Sequence, residues 1–387
     1  MTTTTTIPVA RPLLDEREAE AARRVILSGW VTQGPEVAAF EQEFAAAVGA
    51  PHACAVSSCT TALHLALTAC GVALGDEVVT VSHSFIATAN AVRYCGATPV
   101  FVDIQRDTFN IDPARVAEAI GPRTKAILAV HQFGMPCDLS GILAIAERTR
   151  VAVIEDAACA IGSEIRWGGR WERIGRPHGL VACFSFHPRK LLSTGDGGML
   201  TTADPELDRK FRLLRHHGMS VPDTVRHAAT RVIREEYPVL GYNYRMTDIQ
   251  AAIGREQLKR LPAIVARRRE LAARYHERLA TVAAVHVPHE PEWARTNWQS
   301  YTVRVEPGRQ QQIMQRLLDA GIATRRGAMN AHSEDAYPEG TWRAAGSLRQ
   351  SEEARETAVV LPLFHQLADA DQDRVVAELA RAAGGRS

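Results

Sequence analysis

The chain lacks several features that would place it quickly in a class. Its seven cysteines (Cys54, Cys59, Cys70, Cys95, Cys137, Cys159 and Cys183) are odd in number, scattered, and include no CxxC pair. That pattern argues against a disulfide framework or a zinc centre and for small reduced hydrophobes. Neither sign of charge is in excess: 45 Lys and Arg face 44 Asp and Glu, a net +1 over 387 residues. Such a balance gives no electrostatic footprint for nucleic acid or an anionic membrane, so any bound anion must be met by local donors. Apolar runs are too short and interrupted to span a bilayer, and MTTTTTIPVARPLL has no basic head before an apolar core. A cytoplasmic protein is expected. The glycines form neither GxGxxG nor GxxxxGKS/T, which weakens dinucleotide and P-loop alternatives.

What is present is alternation. Apolar segments at 53–56, 77–81, 98–104, 125–131, 151–156 and 180–186 are separated by helical stretches such as TTALHLALTACG and DLSGILAIAERTR. Buried strands alternating with helices predict an α/β fold, a mostly parallel sheet with helices on both faces. GGMLTT (197–202) returns at once and is expected as an antiparallel seventh strand. Two amphipathic helices flank WVTQGP near the start. Beyond TDIQAAIGREQLKRL the pattern shifts to a long charged helix and sparser strands. This predicts a large domain over 1–250 and a smaller α+β domain over 251–387, divided inside a linking helix. The polar stretch 216–238 is expected as an excursion between the two.

In open parallel sheets, ligands sit at the C-terminal ends of the strands. That rim holds Ser57 to Thr61, Ser82 to Phe85, His131, Asp156, Ser185 and Lys190. SSCTT at a helix start is either an ordinary N-cap or a phosphate cradle of hydroxyls and free N–H groups. Asp156 could cap a helix, ligate a metal or pair with a protonated ring nitrogen, but no second metal-binding residue clusters near it beyond Cys159. Lys190, directly behind the buried run LVACFSF, has no solvated face to decorate. An amine, an acid and a phosphate-binding helix end at one rim together suit pyridoxal phosphate (PLP). That cofactor needs a lysine for its Schiff base, an acid to keep its ring nitrogen protonated and a phosphate anchor. Phe85 either covers the ring or belongs to the core.

Six segments in order, AVSSCTTALHLAL, SFIATANAV, GATPVFVDI, IEDAACAIGS, FSFHPRKLLSTGDGGML and GYNYRMTDIQAAIG, carry a further likeness. With them the chain resembles the DegT/DnrJ/EryC1/StrS aminotransferases, fold type I PLP-dependent transferases that aminate keto-sugars, from WVTQGPEVAAFEQEFA to LPLF at 361–364. The resemblance implies Lys190 as the Schiff-base lysine, with an amine made less basic by the ring's positive charge, and Asp156 as the partner of the ring nitrogen. It implies Cys59, Thr60 and Ser185 as phosphate ligands and Phe85 as the stacking aromatic. It implies that Asn243 reaches the phosphate in the neighbouring subunit, hence a homodimer with two shared sites. Cys159 departs from the family's usual His or Gln and is a weaker hydrogen-bond partner for the cofactor.

Family members with histidine in place of the lysine act as dehydratases; the lysine here favours transamination. A PLP-binding regulatory protein without turnover is the alternative of another class. For a transaminase the expected donor is L-glutamate. The expected acceptor is a nucleotide-linked keto-deoxyhexose, with a cyclitol or smaller ketone as alternatives. Arg325, Arg326 and His332 could meet a substrate diphosphate or form a solvated basic turn. Trp30, Thr32 and His187 are the remaining candidates for walls around the sugar.

Overall fold

A computed structural model describes residues 6–384. Seven strands form the body of the main sheet: β1 (His52–Val56), β2 (Glu77–Val81), β3 (Thr98–Val102), β4 (Thr124–Val130), β5 (Ala152–Asp156), β6 (Val181–Ser185) and β7 (Gly198–Thr202). Their order is β1-β7-β6-β5-β4-β2-β3, and a short edge strand, Arg343–Ala344, lies beside β3. Only β7 runs antiparallel, to both of its neighbours. Strand alternation divides the core between two faces. Ala53, Ala55, Val79, Val81, Ile127 and Ala129 pack in one cluster, whereas Cys54, Val56, Val78, Ala126 and Leu128 pack in the other.

A smaller core gathers around a four-stranded sheet, in the order Val285–His286, Tyr301–Val305, Ala358–Leu361, Arg325–Arg326. The helices Gln310–Asp319 and Asp369–Gly384 cover it. The 32-residue helix Asp248–Leu279 passes from one core to the other. Leu261, Ile264 and Val265 pack on the large sheet, and Leu271, Tyr275 and Leu279 pack on the small one. It starts on a capping box between Thr247 and Gln250 and continues through Pro262. The N-terminal segment joins the smaller core: Ile7 is buried there and bridges to Ile322.

Several elements were not foreseen, among them a hairpin and a short edge strand. The strands Glu164–Trp167 and Arg170–Arg173 form a hairpin whose turn residues Gly168 and Gly169 have φ of 55° and 81°. Two positive φ values suit a tight hairpin and favour glycine there. The Arg343–Ala344 strand is too short to leave a periodic signal. The 216–238 stretch holds one short helix, Asp223–Ala228, and is otherwise irregular. Among the described residues no helix is long and apolar enough to cross a membrane, and no group of three or more His, Cys, Asp or Glu is placed to hold a metal.

Candidate active site

The C-terminal ends of β4, β5 and β6 open into a cavity of about 750 Å³, lined from both cores. Asp156 ends β5 and is buried. Its Oδ2 accepts from the Thr88 hydroxyl at 2.8 Å and its Oδ1 from the Ala158 amide at 3.2 Å. Thr88 donates to a carboxylate, so the neighbouring Ser84 hydroxyl, 2.9 Å away, must donate to Thr88. The acid is therefore oriented from the first turn of the helix Ala87–Tyr94.

Lys190 lies on a loop tied back to β6: the Lys190 amide donates to the His187 carbonyl and the Thr194 amide to the Phe186 carbonyl. Its Nζ is 3.0 Å from the Cys159 sulfur. Burial disfavours the ammonium, but the Cys159 sulfur, Cys59 and the Asp156 carboxylate outweigh it, and the amine's pKa is raised. The lowered value expected from the sequence depends on the charge of a bound ring; within the chain alone the direction is the opposite.

The phosphate end is built by the helix Cys59–Ala69. Ser58 caps it, accepting from the Thr61 amide in a capping box. Cys59 and Thr60, in the first turn, line the cavity beside Ser185. β7 passes so close that a Cβ on Gly198 would lie 2.4 Å from the Ser58 carbonyl oxygen, so glycine is required there. Phe85 is 57% exposed and faces the cavity, which removes it from the core and leaves an aromatic face free.

The other candidates divide. His187, Arg325 and Arg326 line the cavity. Arg326 makes a loose pair with Glu334 at 3.8 Å, and Arg325 has no ion-pair partner among the described residues. Trp30, Thr32, His332 and Asn243 do not line it. The Trp30 Nε1 donates to the Gln33 carbonyl and its ring stands edge-on to His227, while the Thr32 carbonyl accepts from the Asp248 amide. His332 is a packing residue, 2.6 Å from the Ser82 hydroxyl and against Phe101 and Trp342. Asn243 is exposed beside His216. His131 lines the cavity, but its imidazole is already engaged. The Cys137 amide donates to Nδ1, which places the ring proton on Nε2, 3.0 Å from Glu155.

Two residues were missed. Thr88 leaves a weak signal, its four-residue spacing from Ser84. Gln299, whose Nε2 donates to the Arg189 carbonyl beside Lys190, leaves none. An amine, an oriented acid, a helix N-terminus with a hydroxyl and a free aromatic face around one cavity fit PLP. They define a PLP-dependent aminotransferase of fold type I. The chain belongs to the DegT/DnrJ/EryC1/StrS aminotransferase family, whose sequence model matches residues 12–380.

Solved structures agree over nearly the whole length. The aminotransferase TlmJ from Streptoalloteichus hindustanus is 37% identical with a TM-score of 0.89, covering 98% of this chain and 99% of that one. DesV from S. venezuelae is 34% identical with a TM-score of 0.86, covering 98% and 100%. Spr1654 from Streptococcus pneumoniae, described as a sugar aminotransferase and solved in its PLP form, is 27% identical with a TM-score of 0.89, covering 98% and 99%.

Proposed function

We propose that the protein transfers the amino group of an amino acid, L-glutamate foremost, to a nucleotide-linked keto-deoxyhexose. The observation that carries this reading is the adjacent pair Arg325 and Arg326 on the wall of the cavity that holds Lys190 and Asp156. A guanidinium without a carboxylate partner, on the wall of a catalytic cavity, suits a substrate phosphate. A cyclitol or a simple ketone would leave it unused. The pneumococcal relative, described as acting on sugars, supports the same substrate class.

When bound, the cofactor supplies an electron sink for the carbon that loses its proton. The remaining work falls to the chain. Asp156, fixed by Thr88 and Ala158, keeps a proton on the ring nitrogen. The first turn of the helix Cys59–Ala69, with Thr60 and Ser185, holds the phosphate. Phe85 covers a ring face. Lys190, the lysine in the cavity lining, would hold the cofactor through its amine and, when that amine is free, would move the proton at the reacting carbon. The donor's product leaves before the sugar enters the same cavity, so kinetics should be ping-pong, with parallel double-reciprocal lines.

The test is a panel of nucleotide-linked keto-sugars, free cyclitol ketones and small keto acids, each with several amino donors. The expected result is bleaching of the visible absorbance by L-glutamate and the highest kcat/KM with a diphosphate-bearing acceptor. Intersecting lines, or equal kcat/KM for acceptors without phosphate, would overturn the proposal. A cofactor that no amino donor bleaches would favour a regulatory protein.

A further inference from the structure

The strand Tyr301–Val305 is buried along its length, and its two faces serve different purposes. Tyr301, Val303 and Val305 enter the smaller core. By alternation Thr302 and Arg304 point the other way, toward the loop that follows β3. There they line a groove of about 340 Å³ together with Arg106, Asp107, Phe109 and His286. This groove shares no lining residue with the active-site cavity.

Arg304 is 6% exposed and Thr302 2%. The Arg304 Nη2 donates to the Arg106 carbonyl at 2.7 Å, Nη1 reaches the Thr357 hydroxyl at 3.4 Å, and the guanidinium lies 4.3 Å from the Phe109 ring centroid. Its Nε has no hydrogen-bond partner, nor does the Thr302 hydroxyl. Among the described residues no carboxylate forms an ion pair with Arg304, and burial pulls its pKa down to about 10. A buried cation without a counter-ion is costly, and an unsatisfied donor beside it adds to that cost. His286 is the cross-strand neighbour of Arg304, on the same side of the small sheet. Arg106 is largely exposed and only loosely paired with Glu353, at 3.6 Å. Asp107 is the single carboxylate in the lining.

We infer that this groove is a second ligand site, taking the oxyanion head of a small molecule, carboxylate or phosphate. The Arg304 Nε and the Thr302 hydroxyl are its inner donors, and Arg106 and His286 stand beside them. The anion supplies a hydrogen-bonded counter-charge to Arg304, which Glu353 and Asp107 favour only from beyond ion-pair distance, and guanidinium geometry favours two-point contact with such a head. Asp107 opposes a heavily charged ligand, so a head of one or two charges is favoured. Because the ligand would join the loop after β3 to the strand of the smaller core, binding stabilises the folded chain.

The experiment uses PLP-loaded protein carrying Arg325→Ala and Arg326→Ala, which silences the arginines of the main cavity. It is titrated calorimetrically with inorganic phosphate and, separately, with acetate. One equivalent per chain should bind, and the preferred anion identifies the head. Thr302→Val keeps volume and charge but removes the hydroxyl, and should weaken binding about tenfold, the loss of a hydrogen bond to a charged group. Where it folds, Arg304→Gln should abolish binding. No binding of either anion, or binding unchanged in Thr302→Val, would overturn the site.

Discussion

The Lys190 Nζ and the Cys159 sulfur lie 3.0 Å apart in the lining of the cavity. The sulfur is the first of the groups that hold the amine's pKa up against burial. Only the neutral amine can attack the aldehyde of incoming PLP, so loading of the cofactor-free protein should quicken with rising pH. In Cys159→Ala burial is opposed by fewer groups, the amine becomes more acidic, and the midpoint of the pH–rate profile moves lower. The rise of visible absorbance after mixing measures this, and an unmoved midpoint would show that the sulfur does not set the amine.

Lys190→Ala should abolish multiple turnover while PLP still binds without a covalent bond. Borohydride reduction followed by mass spectrometry should then leave no label on the chain. Retained turnover would remove Lys190 from its role.

Asp156→Asn should fold and transaminate at least about 100-fold more slowly, the scale of losing one oriented electrostatic group. Thr88→Val leaves Asp156 with the Ala158 amide alone and should cost roughly tenfold in kcat, near the value of one hydrogen bond to a charged group. If Thr88→Val matched Asp156→Asn, the threonine would be doing more than orienting the acid.

Much of this site was legible because each part sits where a strand ends or a helix begins. Asp156 follows VAVIE, Lys190 follows a buried run, and Thr60 opens a helix, so periodicity and the rim rule brought them together before any contact was known. Phe85 was ambiguous, since an aromatic beside a strand suits a core as well as a lid; only its exposure separates the two. Thr88 and Gln299 act through hydrogen bonds made in three dimensions, which leave no period in the sequence. His332 was misjudged for the same reason, its ring being enclosed by Phe101 and Trp342, one of which is distant in sequence. The groove beside Arg304 was invisible because a strand buried on both faces reads as core throughout.

Acid should loosen the sheet edge that carries the phosphate end. Glu41 is buried, accepts from the Ala55 amide of β1, and pairs with Arg212 at 2.7 Å and with Arg215. Burial raises its pKa, but Arg215 and Arg212 more than reverse this, leaving it below the ordinary value. A depressed carboxylate adds stability above its unfolded pKa, about 4.3, and loses it as pH falls through the folded value. Denaturant midpoints should therefore fall below about pH 4 in the wild type. Glu41→Gln, which strands the buried Arg215 and leaves Arg212 with Asp208 alone, should cost about 3–5 kcal/mol near neutrality and flatten that pH dependence.

The last prediction concerns assembly. Asn243 is exposed and outside the cavity of its own chain, within a segment that also exposes Tyr237, Val239 and Leu240. Exposed apolar side chains gathered in one segment suit a partner surface. We propose a homodimer in which Asn243 completes the phosphate site of the other subunit. Light scattering should give twice the chain mass, and Asn243→Ala should lower PLP affinity. A mixture of Lys190→Ala and Asn243→Ala chains makes the sharper measurement. In the hybrid, the chain with intact Lys190 meets the intact Asn243 of its partner, so one of its two sites is whole. Activity should then rise above that of either variant alone as subunits exchange. If Asn243 served its own subunit, no site in the hybrid would hold both residues and mixing would restore nothing.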